Sequence, residues 1–244
     1  MELITSDIII LMISAFLTSA LAGVIGQGGG LILFVVFASY IDLPLLIAFH
    51  AVIQIFSNSS RAYYAINDIK WETIVPILLG IIIGAILITP LVNSANWSWL
   101  EPLIALYILQ QTWINWSFTL PFPAPLFSIG IIQGLSGMLF GATGPLANSL
   151  LLKQGLKKDQ IVASNAVIMT VSHLVKVLIF LWLGVNAFLY WPHLIVLGVC
   201  AIVGSKVGSH YRNLLSEHTF KVIFKWTLTL LALKMLTQGL GLFD

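Results

Sequence analysis

Residues 23–30 read Gly-Val-Ile-Gly-Gln-Gly-Gly-Gly and lie inside an apolar segment that extends from residue 8 to residue 41. A straight helix of that length would measure roughly 51 Å, whereas the hydrocarbon core of a bilayer is about 30 Å thick. The segment is therefore too long for one pass and too short for two. Glycine-rich backbone at membrane depth is tolerated where it lines a cavity. The stretch predicts a broken or re-entrant hairpin.

A second glycine cluster occurs in the other half of the chain. Residues 134–145 read Gly-Leu-Ser-Gly-Met-Leu-Phe-Gly-Ala-Thr-Gly-Pro, inside an apolar segment at 125–152. The two clusters align so that Gly23 corresponds to Gly137 and Gly30 to Gly144. With one residue inserted, the alignment continues in the helices that follow. It pairs Ala48, His50, Asn58 and Arg61 with Ala163, Asn165, His173 and Lys176. We therefore expect one domain, residues 1–244, made of two repeats at 8–117 and 125–241.

The composition is that of an integral membrane protein. Of the 244 residues, 59% are hydrophobic and only 8% are charged, against roughly 25% charged residues in soluble domains. This excludes a soluble enzyme and a nucleic-acid-binding protein, and the single cysteine, Cys200, excludes a disulfide scaffold. Each further apolar segment has about the 20 residues that a spanning helix needs. These segments are 45–66, 73–93, 97–117, 159–184, 187–209 and 219–241. The predicted fold is an all-α polytopic membrane protein with about eight helical segments.

Basic loops predict the orientation. Lys153, Lys157 and Lys158 crowd one loop and Arg212, Lys221 and Lys225 another, and such loops face the cytoplasm. If the glycine-broken segments are re-entrant, the basic stretch 61–72 also faces inward and the repeats are inverted. If those segments cross fully, the repeats are parallel. The charge distribution favours inverted repeats, and in both cases the termini lie outside.

Each half carries a stripe of polar residues along one helix. His50, Gln54, Asn58 and Arg61 are spaced four, four and three residues apart, which places them on one helical face. Asn165, His173 (or Ser172) and Lys176 repeat this face in the second half. Polar side chains in contact with lipid are costly, so these faces should point at protein or water.

The two basic residues of the stripes admit two interpretations. Arg61 and Lys176 could extend to the membrane surface from apolar stems, or they could be fixed positive charges that flank a central anion site. Their recurrence at the same repeat position favours the anion site. Every Asp and Glu lies near a segment end or in a loop, which makes cation transport improbable. Proton coupling would have to use His50 and His173, since histidine titrates near neutrality. Interhelical hydrogen bonding is the alternative role of both histidines.

The glycine clusters could also supply backbone amide groups to the anion site. A helix that starts after Gly28-Gly29-Gly30, or after Thr143-Gly144, directs its N-terminal amides into the protein. Neutral hydrogen bonds could come from Gln27, Gln133, Thr143 and Asn148, whose alternative role is ordinary helix packing. The expected substrate-binding residues are Gln27, Gly28, Gly29, Gly30, His50, Gln54, Asn58, Arg61, Gln133, Thr143, Gly144, Asn148, Asn165, His173 and Lys176.

Other site types lack support in the sequence. No catalytic constellation or metal-ligand cluster is visible, so we expect neither an enzyme nor a cofactor or metal. Gly80-xxx-Gly84 and Gly204-xxx-Gly208 are close-packing positions for neighbouring helices, or alternatively the seam of a homodimer. The expected partners are a small anion, the lipid bilayer and, for the seam alternative, a second copy of the chain.

The motifs resemble the sulfite exporter TauE/SafE family of membrane transporters. The resemblance rests on the two glycine-rich hairpins, on Phe49-His50-Ala51-Val52-Ile53-Gln54 with Asn58 and Arg61, and on Ala163-Ser164-Asn165-Ala166 with His173 and Lys176. It covers essentially the whole chain. One departure is that the second hairpin reads Gly-Ala-Thr-Gly-Pro, where the family often has a full glycine run. The two half-sites should therefore be chemically unequal.

The resemblance implies a bacterial inner-membrane carrier that exports sulfur-containing anions, such as sulfite or organosulfonates, by alternating access. With the basic loops inside, both termini would be periplasmic. The alternatives are an anion channel of the same fold and a carrier for a different small organic anion.

Overall fold

The computed structural model describes residues 5–26, 28–95, 97–114, 124–140, 151–211 and 217–241. The first half contains α1 (Thr5–Ile25), α2 (Gly29–Ala38), α3 (Leu45–Tyr64), α4 (Trp71–Asn93) and α5 (Trp97–Trp113). The second half contains α6 (Pro125–Phe140), α7 (Lys158–Trp182), α8 (Trp191–His210) and α9 (Glu217–Gly239). Short 3-10 turns at Ile66–Asp68 and Ala187–Tyr190 precede α4 and α8.

The helices confirm the predicted all-α membrane fold. Within the described ranges there is no β-strand. In the described part of the chain, four segments are long and apolar enough to cross a membrane, namely Ser6–Val24, Trp71–Asn93, Lys158–Trp182 and Ala187–His210. Large apolar side chains such as Ile13, Leu87 and Leu178 are more than half exposed, as expected for a surface that faces lipid.

The first glycine cluster interrupts the backbone inside the segment at 8–41. Helix α1 ends at Ile25 and α2 begins at Gly29, and the chain turns at Gly26 and Gly28, where φ is 88° and 92°. Only glycine adopts this left-handed region at little cost. Helix α2 has ten residues and is therefore about 15 Å long, half the thickness of the hydrocarbon core. The corresponding turn of the second cluster, at 141–150, lies outside the described residues.

Two pairs of parallel helices, each with one member from either half, pack backbone against backbone. In the pair α1–α8, a Cβ added at Gly204 or Gly208 would overlap the carbonyl oxygen of Phe16 or Ala20. In the pair α4–α6, a Cβ added at Gly80 or Gly84 would overlap the carbonyl oxygen of Phe127 or Ile131. Both glycine motifs therefore pack inside the chain, in the manner of small-residue helix contacts in membranes.

The equivalent helices α3 and α7 cross each other in opposite directions. The rings of His50 and His173 lie 5.6 Å apart between centroids, so the first third of α3 is near the second half of α7. Beyond the other end of α3, the backbone N–H of Lys70 donates to Ser164 Oγ at 3.1 Å, close to the start of α7. The polar faces of the two helices therefore meet in antiparallel register inside the protein.

The helix contacts predict a position-specific effect of added bulk in α8. Gly204→Leu should lower the free energy of unfolding by about 2 kcal/mol or more, because overpacking separates α8 from α1. The measurement is the thermal unfolding of the protein in detergent. Val203→Leu is the matched control, since Val203 is 46% exposed and its longer replacement would extend into lipid. Equal stability of the two variants would contradict the backbone contact at Gly204.

Candidate functional site

The polar stripes of α3 and α7 are buried. His50 is 0% exposed, Arg61 3%, His173 4% and Lys176 2%. The neutral members are buried as well, namely Gln54, Asn58, Asn165 and Ser172. Neither basic side chain extends to the protein surface, which removes the alternative in which they serve only as membrane-surface anchors.

Three stripe residues donate hydrogen bonds to carbonyl oxygens of the first glycine hairpin. Arg61 Nη1 donates to the oxygen of Ala22 at 2.8 Å, and Asn165 Nδ2 donates to that of Gly26 at 3.4 Å. His50 Nε2 donates to the oxygen of Gly30 at 2.9 Å. The Ala22 oxygen also accepts from the Gly26 N–H at 2.7 Å, so the bond from Arg61 adds to a bond of the helix itself. The stripes of both halves thus tie both ends of the hairpin turn to α3 and α7.

Asn58, Arg61 and Asn165 form one group around the end of α1, which we name the Arg61 cluster. Arg61 Nη2 donates to Asn58 Oδ1. Asn58 Nδ2 in turn donates to Gln54 Oε1 at 3.1 Å and to the Gln54 carbonyl oxygen at 2.7 Å. The guanidinium is thus joined to α1 on one side and to its own helix on the other.

His50, His173 and Lys176 form a second group, the Lys176 cluster. The two rings meet nearly edge to face, with an interplanar angle of 76°, and Lys176 follows His173 by three residues on the same face of α7. The Nδ1 atoms of His50 and His173 are buried without a hydrogen-bond partner. Since the Nε2–H of His50 is bonded to Gly30, its Nδ1 is the atom that can receive a proton or accept a hydrogen bond.

The two clusters are related by the repeat alignment. Arg61 corresponds to Lys176, Asn58 to His173 and Asn165 to His50, so each cluster takes two residues from one helix and one from the other. Arg61 follows His50 by 11 residues on α3, a separation of about 16 Å along the helix. The two basic residues therefore belong to separate clusters.

The hairpin lies against α3 between the clusters. A Cβ added at Gly30 would be 3.2 Å from Gln54 Oε1, so the start of α2 approaches the middle of the polar stripe. Gly28 precedes α2 as its N-cap residue, and Gly29 is buried within its first turn. Gln27, Thr143, Gly144 and Asn148 lie outside the described residues.

Helix α6 contributes a buried polar side chain. Gln133 is 0% exposed, and neither its Oε1 nor its Nε2 has a hydrogen-bond partner. In the register that aligns Gly23 with Gly137, Gln133 corresponds to Ser19, which is 2% exposed and whose Oγ is also without a partner. Ser19 is not among the site residues predicted from the sequence, although the repeat alignment, extended into α1, identifies it.

The described interior has buried cations without buried carboxylates. Of the acidic residues whose side chains are described, Asp42, Glu72 and Asp159 are exposed and Asp7 and Asp68 are half-buried. In the same part of the chain, Arg61 and Lys176 are buried. The interior around α3 and α7 is therefore suited to a negatively charged ligand.

The sequence matches one protein family over most of its length. The family is described as "Sulfite exporter TauE/SafE", and the match covers residues 11–235. This range includes both glycine clusters and both polar stripes. No curated protein and no solved structure matches the chain.

Adjacent glycines of the hairpin should differ in their tolerance of alanine. A Cβ at Gly29 would overlap the carbonyl oxygen of Thr18, whereas at Gly30 it would meet the side chain of Gln54. A side chain can rotate away, but helix backbone cannot. We expect Gly29→Ala to lower the free energy of unfolding by about 1–3 kcal/mol and Gly30→Ala to leave it nearly unchanged. Thermal unfolding in detergent measures both, and comparable losses in the two variants would contradict this close approach.

Proposed function

This chain belongs to the sulfite exporter TauE/SafE family, and we propose that it exports a small sulfur-containing anion, sulfite or an organosulfonate, as a secondary carrier. The family match and the apolar spans support the coarser statement, a multi-pass membrane transporter. The chemistry of the α3–α7 interface supports the anionic substrate.

The observation that carries the proposal is the burial of Lys176. Its side chain is 2% exposed. Among the acidic residues whose side chains the structure describes, none is buried. A buried charge is costly unless it is paired and hydrogen-bonded, and a substrate anion bound beside Lys176 would place a negative charge next to it. The ammonium group has three donors, which suits a compact oxyanion such as sulfite.

The other proposed ligands are neutral or can gain a proton. The side-chain amide of Gln133 can donate to an anion, as can the amides at the start of α2. A proton on Nδ1 of His50 or His173 would place a second positive charge beside Lys176. Through these rings, we propose, anion binding and proton binding are coupled.

We propose that the two repeats are inverted, an arrangement that is compatible with alternating access. Equivalent helices α3 and α7 contact each other in antiparallel register, and each parallel helix pair combines one helix from either half. These contacts support inverted repeats related by an axis in the membrane plane, an architecture in which substrate sites lie near the midplane beside broken helices. We propose a cytoplasmic location for the basic stretch at 61–72 and for the loop that contains Lys153, Lys157 and Lys158, and a periplasmic location for the termini of a bacterial inner-membrane protein.

Radiolabelled sulfite flux into proteoliposomes tests the proposal. The purified protein should give saturable flux that unlabelled sulfite reduces and that responds to an imposed pH gradient. Lys176→Met should lower the flux at least tenfold, because it removes the buried charge without a large change in volume. Lys206→Met is the matched control, since Lys206 is exposed on α8 and its loss should leave the flux unchanged.

The alternatives predict different results in the same vesicles. Flux that increases linearly with sulfite concentration and carries current would indicate a channel. Absence of sulfite flux, together with uptake of a labelled organic carboxylate, would assign a different anion to the same site. Full sulfite flux in Lys176→Met would show that this residue does not bind the substrate.

Thiol labelling tests the inverted repeats. In a Cys200→Ser background, single cysteines can replace the exposed residues Asn67, Ser94 and Gln154. Asn67 follows α3 and Gln154 precedes α7, so inverted repeats place both on the same side, opposite Ser94. A membrane-impermeant maleimide applied to intact cells should therefore label Ser94→Cys alone, and all three after lysis. Labelling of Asn67→Cys and Gln154→Cys from opposite sides would show parallel repeats.

A further inference from the structure

We propose that the two clusters have different roles, with Arg61 as a positioning residue that holds the glycine hairpin and the Lys176 cluster as the place where the anion binds. The second part rests on the proposed function, whereas the first can be tested without a substrate. Arg61 and Lys176, which the sequence suggested for one anion site, thus serve two different sites.

Two donors of Arg61, on Nη1 and Nη2, are directed at the backbone of α1 and at Asn58. Its Nη1 bonds to the Ala22 oxygen at 2.8 Å, and that oxygen also accepts from Gly26 N–H at 2.7 Å. This shared acceptor lies in the last turn of α1, where the helix dipole is negative and a cation is stabilised. The end of α1 thus compensates the buried guanidinium without a carboxylate or a substrate.

Helix α7 holds the same turn from the opposite side. Asn165 Nδ2 donates to the Gly26 oxygen, and a Cβ at Gly26 would overlap Val162. The remaining polar atom of this amide, Asn165 Oδ1, is buried without a partner. It is an acceptor and cannot donate to an anion. The hydrogen bonds that Arg61 and Asn165 make are directed at the hairpin and hold it in place.

The Lys176 cluster has the complementary properties. Its two imidazoles retain buried Nδ1 atoms without partners, and each would become a donor to the anion if it gained a proton when the anion binds. The repeat alignment pairs Gln133 on α6 with Ser19 on α1, which lies one turn before the Ala22 carbonyl that Arg61 contacts. Gln133 also has two side-chain atoms without partners. The Lys176 cluster thus offers two ring nitrogens to a ligand beside a buried lysine.

Substitution of Arg61 by lysine separates the two roles. Lysine keeps the charge but has one nitrogen, so it cannot reproduce the planar fork that reaches both Ala22 and Asn58. If Arg61 positions the hairpin, Arg61→Lys should behave like Arg61→Met. If Arg61 binds the anion by its charge, Arg61→Lys should behave like the unmodified protein.

The first readout is hydrogen exchange of the protein in lipid nanodiscs, followed in peptides that cover residues 20–34. We expect Arg61→Met and Arg61→Lys to raise the exchange rate of these amides at least tenfold and Lys176→Met to leave it unchanged. Asn165→Ala removes the second hydrogen bond to the turn and should also raise the rate. It serves as the second variant if an Arg61 substitution prevents folding.

The second readout is the binding of sulfite, measured by its stabilisation of the same nanodisc samples against heat. The dissociation constant should rise at least tenfold in Lys176→Met and less than threefold in the Arg61 variants, whereas the maximal flux in proteoliposomes should fall in both. Lys206→Met again serves as the control.

The two readouts distinguish the possible failures. Unchanged exchange in Arg61→Lys, Arg61→Met and Asn165→Ala would overturn the positioning role. Loss of sulfite binding in Arg61→Met with full recovery in Arg61→Lys would identify Arg61 as a binding charge. If the unmodified protein does not bind sulfite, the proposed substrate is wrong, and the exchange rates alone decide the role of Arg61.

Discussion

The structure depends on the hydrogen bonds that hold the break between α1 and α2 in place. At this break, polar side chains of α3 and α7 donate to the backbone. Arg61, Asn165 and His50 donate to the oxygens of Ala22, Gly26 and Gly30, at intervals of four residues. This explains why one helix from each half carries a polar stripe and why the stripes face each other. A hairpin held in this way can place the amides of α2 next to α3.

The contacts between the two halves depend on close packing of helix backbones. Helix α1 packs on α8 and α4 on α6 without intervening side chains, because glycines occur at the crossing points. Each half therefore contributes one helix to each close pair, and the polar faces of α3 and α7 are buried. The polar residues are thereby removed from lipid, and the large apolar side chains of the outer faces remain in contact with it.

Much of the candidate site could be predicted from local pattern. The spacing of His50, Gln54, Asn58 and Arg61 placed them on one face, and lipid excludes such a face, so its burial followed. The break near Gly26–Gly28 followed from the length of the segment. The grouping of the residues could not be predicted in this way, because it depends on how far α3 is displaced along α7. That register places His50 beside His173 and leaves Arg61 at the end of α1.

The sequence by itself determined the all-α membrane fold and the break near Gly26, because these depend on hydrophobicity and backbone freedom, which are local properties. It also determined that two cations lie at equivalent repeat positions. Only the tertiary structure decided that the antiparallel crossing of α3 and α7 separates these cations into two clusters. The physical reason is that equivalent positions on two antiparallel helices need not be neighbours. When two equivalent residues, such as Arg61 and Lys176, lie far from the point where α3 and α7 cross, they lie at opposite ends of the contact between these helices.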